Sequence, residues 1–264
     1  MDIVSIDKLT FRYNDKFIFD KFSLSIKKGS FVCITGPNGS GKSTLIKIIS
    51  GLIPTNLSVR VCGNDVRNYN VRKKIGVVFS DIDDMFLCET VEDDIIFVLE
   101  NLCYSRKEIR RRVLEISNEF GINHLLNMNP SMLSGGEKIK VALAISLVND
   151  PELLLLDESL SMIDENDRKK VLNILKKRQE KGLTIISVIH DLRESFDADR
   201  LIVLNDGEIV LDGAPIKVME YDKVLNRLGI EIPFEIDLCI KLKLYGIIDN
   251  LIPSMNKLVN TLWE

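Results

Sequence analysis

The chain has 264 residues, enough to bury one sizeable core with a small appendage. With 45% hydrophobic and 28% charged residues it reads as globular rather than disordered, and its net charge of −4 argues against nucleic acid as a partner. Its five cysteines (Cys33, Cys62, Cys88, Cys103, Cys239) form no CxxC pair and no metal-ligand spacing, so reduced, cytosolic thiols are expected.

The start, MDIVSIDK, is acidic and alternating, which is not the pattern of a signal peptide. Apolar alternation over 6–13 and 22–26 predicts antiparallel strands. SFVCIT (30–35) is a continuous apolar run, as expected of a strand buried on both faces, and a helix over about 42–50 should stop at Gly51. IGVVF (75–79) reads as another buried strand. It runs into a loop where Asp81, Asp83 and Asp84 follow Ser80.

The middle is helical in pattern. SRKE (105–108) is a capping-box sequence ahead of Ile109, Val113, Ile116 and Phe120 at helical spacing, with Gly121 as the stop. LLLLD (153–157) is a buried strand before a charged helix over about 164–181. TIISVIH (184–190) and RLIVL (200–204) are further strands, and Asp206-Gly207 marks a hairpin turn. From 214 onward the pattern changes to short helices punctuated by Pro215, Pro233 and Pro253. No apolar run approaches the roughly 20 residues that cross a bilayer, so any membrane connection is expected through a partner.

GPNGSGKST (36–44) lies between a buried strand and a helix, the setting a phosphate-binding loop requires. Gly36, Gly39 and Gly41 let backbone N–H groups wrap phosphates, with Pro37, Asn38 and Ser40 completing the loop and Thr44 the first helical turn. Lys42 is placed to reach the terminal phosphates, and the Ser43 hydroxyl to bind Mg²⁺. At the end of LLLLDE (153–158), Asp157 would hold Mg²⁺ through water and Glu158 would polarise an attacking water.

LSGGE (133–137), comprising Leu133, Ser134, Gly135, Gly136 and Glu137, completes a set that resembles the ATP-binding cassette (ABC) ATPases. That resemblance implies an α/β fold: a P-loop NTPase three-layer core over 1–213 with an antiparallel β subdomain and a helical subdomain near 90–150. Residues 214–264 would form a small C-terminal accessory and dimerisation domain. It also implies that Ser134 and the Gly135 and Gly136 amides close on the γ-phosphate held by a second ATPase subunit, and that His190 is the switch histidine. Asp164 would communicate across the dimer, and Tyr13 would stack on adenine, with core packing as the alternative. His124 has no motif around it and is read as structural. TVEDDIIFVLENL (90–102), SMIDENDR (161–168) and LGIEIP (228–233) resemble the energy-coupling factor branch.

Two regions depart from the family pattern. Ser80 stands where a glutamine that senses Mg²⁺ is usual, with Asp81, Asp83 and Asp84 either solvating the loop or edging a docking groove. Glu137 stands where glutamine is usual, and Ile139 and Lys140 where glutamine and arginine are usual. The resemblance implies an ATP- and Mg²⁺-dependent ATPase subunit that powers micronutrient uptake, held peripherally on the cytoplasmic side of the cell membrane. Its partners would be a second ATPase subunit, a transmembrane coupling subunit and a substrate-binding membrane subunit, with no nucleic acid. The alternatives are the cassette of a conventional ABC transporter and a soluble, non-transport cassette protein.

Overall fold

In a computed structural model, residues 1–55 and 59–263 are described. The chain divides into two compact units, one of Met1–Leu9, Ser23–Ser30 and Ser43–Ser187, the other of Thr10–Phe22, Phe31–Lys42 and Val188–Glu264. Strands β1 (Asp2–Tyr13) and β2 (Lys16–Lys27) run through both.

In the first unit, residues 2–9 of β1 and 23–27 of β2 join β4 (Val59–Val61) and β5 (Asn64–Asp65) in an antiparallel sheet of order β2-β1-β4-β5. Phe22, Leu24 and Ile26 are buried while the residues between them face out, the two-residue period that the sequence shows. Val4 pairs with Val61 and Ile6 with Val59. The three-residue β4 and two-residue β5 are too short to carry a period, and the pattern did not anticipate them. The same unit holds β6 (Ile75–Val78), β7 (Leu153–Asp157) and β8 (Thr184–Val188) in the order β8-β7-β6, with β6 parallel to β7. All four leucines of β7 are fully buried, as parallel strands covered on both faces demand.

Helix α1 (Lys42–Ile49) follows the phosphate loop, and α2 (Tyr69–Arg72) precedes β6. Three helices fill the stretch expected to be helical: α3 (Val91–Asn101), α4 (Arg106–Phe120) and α5 (Gly135–Leu147). Ser105 caps α4 by accepting from Glu108 N–H at 3.4 Å, and Gly121 ends it in the left-handed region at φ 67°. Asp164 caps α6 (Glu165–Glu180). Helix α5 lies directly on β6: a Cβ at Gly76 would come 2.3 Å from the Ser146 carbonyl oxygen, so only glycine permits that approach.

In the second unit β3 (Phe31–Thr35) runs parallel to β9 (Arg200–Asn205), and β9 pairs antiparallel with β10 (Glu208–Gly213). The hairpin turn between them puts Asp206 at φ 46° and Gly207 at φ 77°, both left-handed, as a two-residue Asp-Gly turn requires. Short helices α7 (Pro215–Met219), α8 (Asp222–Arg227), α9 (Phe234–Leu244) and α10 (Met255–Trp263) follow. Among the described residues no helix is long and apolar enough to cross a membrane.

Candidate functional site

The phosphate loop is shaped by what presses on it. At Gly36 (φ 151°) a Cβ would sit 2.0 Å from the Leu204 carbonyl oxygen, and at Gly41 (φ 106°) it would sit 2.9 Å from the Phe19 ring. Gly39 has φ 81° at the exposed tip beside Asn38. Each glycine is therefore fixed by conformation, by space or by both. Gly207 of the hairpin turn donates its N–H to Ser40 O at 3.1 Å and buttresses the loop, a role its turn signature did not reveal. Lys42 is 5% exposed, and its ammonium donates to Gly36 O at 2.8 Å and Pro37 O at 3.1 Å. A buried cation held by loop carbonyls makes the loop electropositive, and the Ser40 hydroxyl is buried there with no hydrogen-bond partner among the described residues.

In the first unit the Ser43 hydroxyl donates to Asp157 Oδ1 at 3.1 Å, across 114 residues of sequence. Asp157 is 3% exposed at the end of β7. A hydroxyl and a carboxylate side by side are hard oxygen donors, the set that suits Mg²⁺, so these residues fit the ion. Glu158 follows at φ 57°, ψ 14°, a left-handed conformation that costs a non-glycine residue about 1–2 kcal/mol. The backbone thus spends stability to turn Glu158 away from the strand direction.

The LSGGE stretch forms a complete helix cap. Ser134 is the N-cap of α5, its hydroxyl accepts from Glu137 N–H at 3.4 Å, and the Glu137 carboxylate accepts from Ser134 N–H at 2.9 Å and Ser134 Oγ at 2.7 Å. Those hydrogen bonds hold the Glu137 carboxyl below the usual glutamate range. Leu133 is buried, whereas Ser134 and Gly135 are exposed. Among the described residues, a Cβ at Gly135 or Gly136 would meet nothing within 4 Å. Ile139 is fully buried, which accounts for an apolar residue at that position, and Lys140 pairs with Asp167, which it shares with Lys170.

Beyond β6, Ser80 is exposed and its carbonyl accepts from Ile82 N–H. The acids do not act alike. Asp83, on the 3-10 turn Ile82–Met85, pairs with Lys138 of α5 at 2.6 Å, while Asp81 and Asp84 are exposed. Asp94, 3% exposed on α3, accepts the N–H groups of Leu87 and Cys88 at 2.9 and 3.0 Å and so fixes the far end of the loop. An apolar cleft of about 340 Å³ lies beside it, lined by Tyr69, Met85, Phe97, Leu102 and Ile145 among others.

Tyr13 is 48% exposed with its ring edge-on to Phe11 at 5.0 Å, so core packing is not its role. His190 is exposed and lines a cleft of about 600 Å³ with Arg193, Glu231 and Phe234. Asp164 accepts from Asn166 and Asp167 N–H, both at 3.0 Å, a local reason for an acid there. His124 is exposed on the surface and makes a minor electrostatic contribution to lowering the Glu137 carboxyl.

The ABC transporter family model matches residues 19–161, from within β2 to just past the end of β7. An energy-coupling factor transporter ATP-binding protein EcfA1 of Halalkalibacterium halodurans is 36% identical over 98% of this chain and 96% of its own length. The chain is an ATP-binding cassette ATPase of the energy-coupling factor family. EcfA of Pediococcus pentosaceus is 41% identical over 88% of this chain and 86% of its own length. Among solved structures, cbiO1 of Clostridium perfringens, part of the ABC transporter complex cbiONQ, has 29% identity and a TM-score of 0.74 over 88% of this chain and 96% of its own. A dimeric ATP-binding cassette in a post-hydrolysis state, bound to ADP and Pi, has 30% identity and a TM-score of 0.72 over 80% of this chain and 98% of its own. The cassette therefore has the P-loop NTPase fold that binds ATP, and the Halalkalibacterium halodurans relative matches the C-terminal helices as well.

Proposed function

We propose that this chain hydrolyses ATP as one of two ATPase subunits of an energy-coupling factor importer, and that it drives micronutrient uptake through a transmembrane coupling subunit. The cargo, a vitamin or a transition-metal ion, is bound by a separate membrane subunit. The cassette sits peripherally on the cytoplasmic face, and residues 214–264 serve as its accessory and dimerisation segment.

One observation carries the two-subunit mechanism. Glycine is a poor helix former, yet neither Gly135 nor Gly136 has a positive φ or, among the described residues, a neighbour that a Cβ would strike. The reason for glycine there lies outside this chain. A second subunit's bound ATP, approached closely by the Gly135 and Gly136 backbone and the Ser134 hydroxyl, supplies it.

In the chain's own half, the loop from Gly36 through Gly41, with Pro37, Asn38 and Ser40, wraps the phosphates. Lys42 neutralises them, Thr44 continues the helix that presents its N-terminus, and Tyr13 offers a ring to the adenine. Ser43 and Asp157 hold Mg²⁺, which neutralises charge developing on the phosphates. Glu158 orients and polarises the attacking water, and His190 contacts the γ-phosphate. Asp164, besides capping α6, faces the partner cassette, and Leu133 anchors the signature turn. Met85 of loop 81–88 lines the cleft, which is largely apolar with Arg72 and Lys73 on its wall, and the cleft together with the exposed loop acids Asp81 and Asp84 takes a short amphipathic helix of the transmembrane subunit. A conventional transporter cassette and a soluble cassette protein are the rival readings; the relatives' similarity through the C-terminal segment favours the energy-coupling factor type.

The test is the chain extracted from membranes in mild detergent with its bound subunits. It should carry a second ATPase and a transmembrane subunit in fixed stoichiometry and release phosphate from ATP in a Mg²⁺-dependent manner. Glu158→Gln should retain ATP binding and lower turnover by roughly 10²- to 10⁴-fold, the worth of a positioned base. Undiminished hydrolysis in that variant, with the partner site inactivated, would overturn the catalytic assignment. Ser80→Gln should raise hydrolysis by no more than about 10²-fold, because one hydrogen bond to a charged group carries about 1.5–3 kcal/mol. Full restoration of an otherwise silent site would show that Ser80 disables it.

A further inference from the structure

Lys138 and Asp83 are 55 residues apart in sequence and meet at 2.6 Å. The pair is lopsided: the Lys138 side chain is 17% exposed and that of Asp83 77%. An ammonium so far withdrawn from water is held in place by its counter-charge, while the aspartate stays open to whatever approaches the loop.

What lies on either side gives the pair its consequence. On the helix side, Lys138 N–H donates to Ser134 O at 2.9 Å, and the next residue back, Glu137, binds both the N–H and the hydroxyl of Ser134. The first turn of α5 is thus one rigid unit that includes the signature serine and its two glycines. On the loop side, the 3-10 turn Ile82–Met85 bears Asp83, and the loop's far end hangs from the buried Asp94 through Leu87 and Cys88 N–H. Along this loop the Leu87 side chain is 71% exposed, and Asp81 and Asp84 face out. A partner that grips these outward groups pulls on a loop tied at one point to the signature turn and at the other to α3.

We propose that Asp83 and Lys138 are positioning residues whose ion pair carries docking of the transmembrane subunit at loop 81–88 to the signature turn at Ser134. The inference rests on the docking site named under the proposed function. A contact of this kind suits a switch, because a pair whose aspartate stays largely in water is weak enough to break and re-form within a working cycle. It also assigns Asp83 a task different from its neighbours: Asp81 and Asp84 meet the partner, and Asp83 passes the displacement on.

The test is amide hydrogen exchange on the full chain, alone and assembled with its transmembrane subunit in detergent, without nucleotide. In the wild type, assembly should slow exchange in the peptide spanning 81–88 and also, by up to about 5-fold, in the peptide spanning 134–140. In Asp83→Asn and in Lys138→Met, assembly should still protect 81–88 but leave 134–140 unchanged. The charge-reversed pair, Asp83→Lys with Lys138→Asp, should regain the response at 134–140, which a merely structural role would not predict. Response at 134–140 that persists in both single variants overturns the proposal, as does its loss in the singles without recovery in the reversed pair. If assembly fails to protect 81–88 in the wild type, the docking site itself is misplaced, and both readings fall together.

Discussion

The chain carries two glycine-rich turns at helix N-termini, and they differ in who needs the glycines. In the phosphate loop the need is internal: Leu204 O and the Phe19 ring occupy the space a Cβ would take, and the backbone is left-handed. In the signature turn the same residue type sits in open space with ordinary backbone angles. One turn is a finished cradle, closed by its own unit through Gly207 and Lys42. On the proposed reading, the other is half of a site whose remaining half is on another subunit. Empty space around a glycine that needs no special conformation is therefore informative, because it moves the explanation from folding to binding.

Substitutions at the two turns should break this contrast if it is wrong. The largest effect is expected at Gly36→Ala, where a methyl would be driven into a backbone carbonyl at 2.0 Å in a left-handed backbone. Overpacking and strain together should cost about 2–5 kcal/mol in urea unfolding and remove ATP binding. A tolerated alanine there would show that the loop can open without penalty.

Gly135→Ala should give a smaller change of opposite sign in stability. The helix gains about 0.4–1 kcal/mol by thermal or urea unfolding, while ATP-driven turnover of the assembled complex falls. A variant both more stable and fully active would leave the two open glycines without a reason.

The smallest effect concerns the cap. The Glu137 carboxyl is lowered from the usual 4.5 by hydrogen bonds from the Ser134 side chain and backbone. A depressed carboxyl stabilises the fold above the unfolded value and loses that contribution as pH falls through the folded one, below about 4.5. Glu137→Gln, which keeps an acceptor for Ser134 N–H but does not titrate, should lose less melting temperature than wild type between pH 5 and pH 3. Parallel pH profiles for the two would remove the cap from the acid response of the fold.

Much of this was legible in the sequence because it is local. The spacing of Gly36, Gly39, Gly41 and Lys42, the leucine run into Asp157 and Glu158, and the Ser134 turn each specify backbone geometry within a few residues. The 3.6 period placed α4 and the continuous apolar run placed β3 within a residue or two of their ends, whereas the two-residue period found only the second part of β1 and of β2, which begin at Asp2 and Lys16. The family likewise followed from these short stretches. What the sequence could not decide depends on which distant segments the fold brings together. Gly207 read as a hairpin turn and also supports Ser40. Gly76 read as part of a strand and also admits α5 against β6. Asp83 read as one of three loop acids, and its partner is 55 residues away. Tyr13 could have packed in the core or faced outward, and its 48% exposure decided for the surface. Local motifs are written in backbone preference, which each stretch carries with it; pairings across the fold depend on strand register and helix seating, which exist only once the chain has closed on itself.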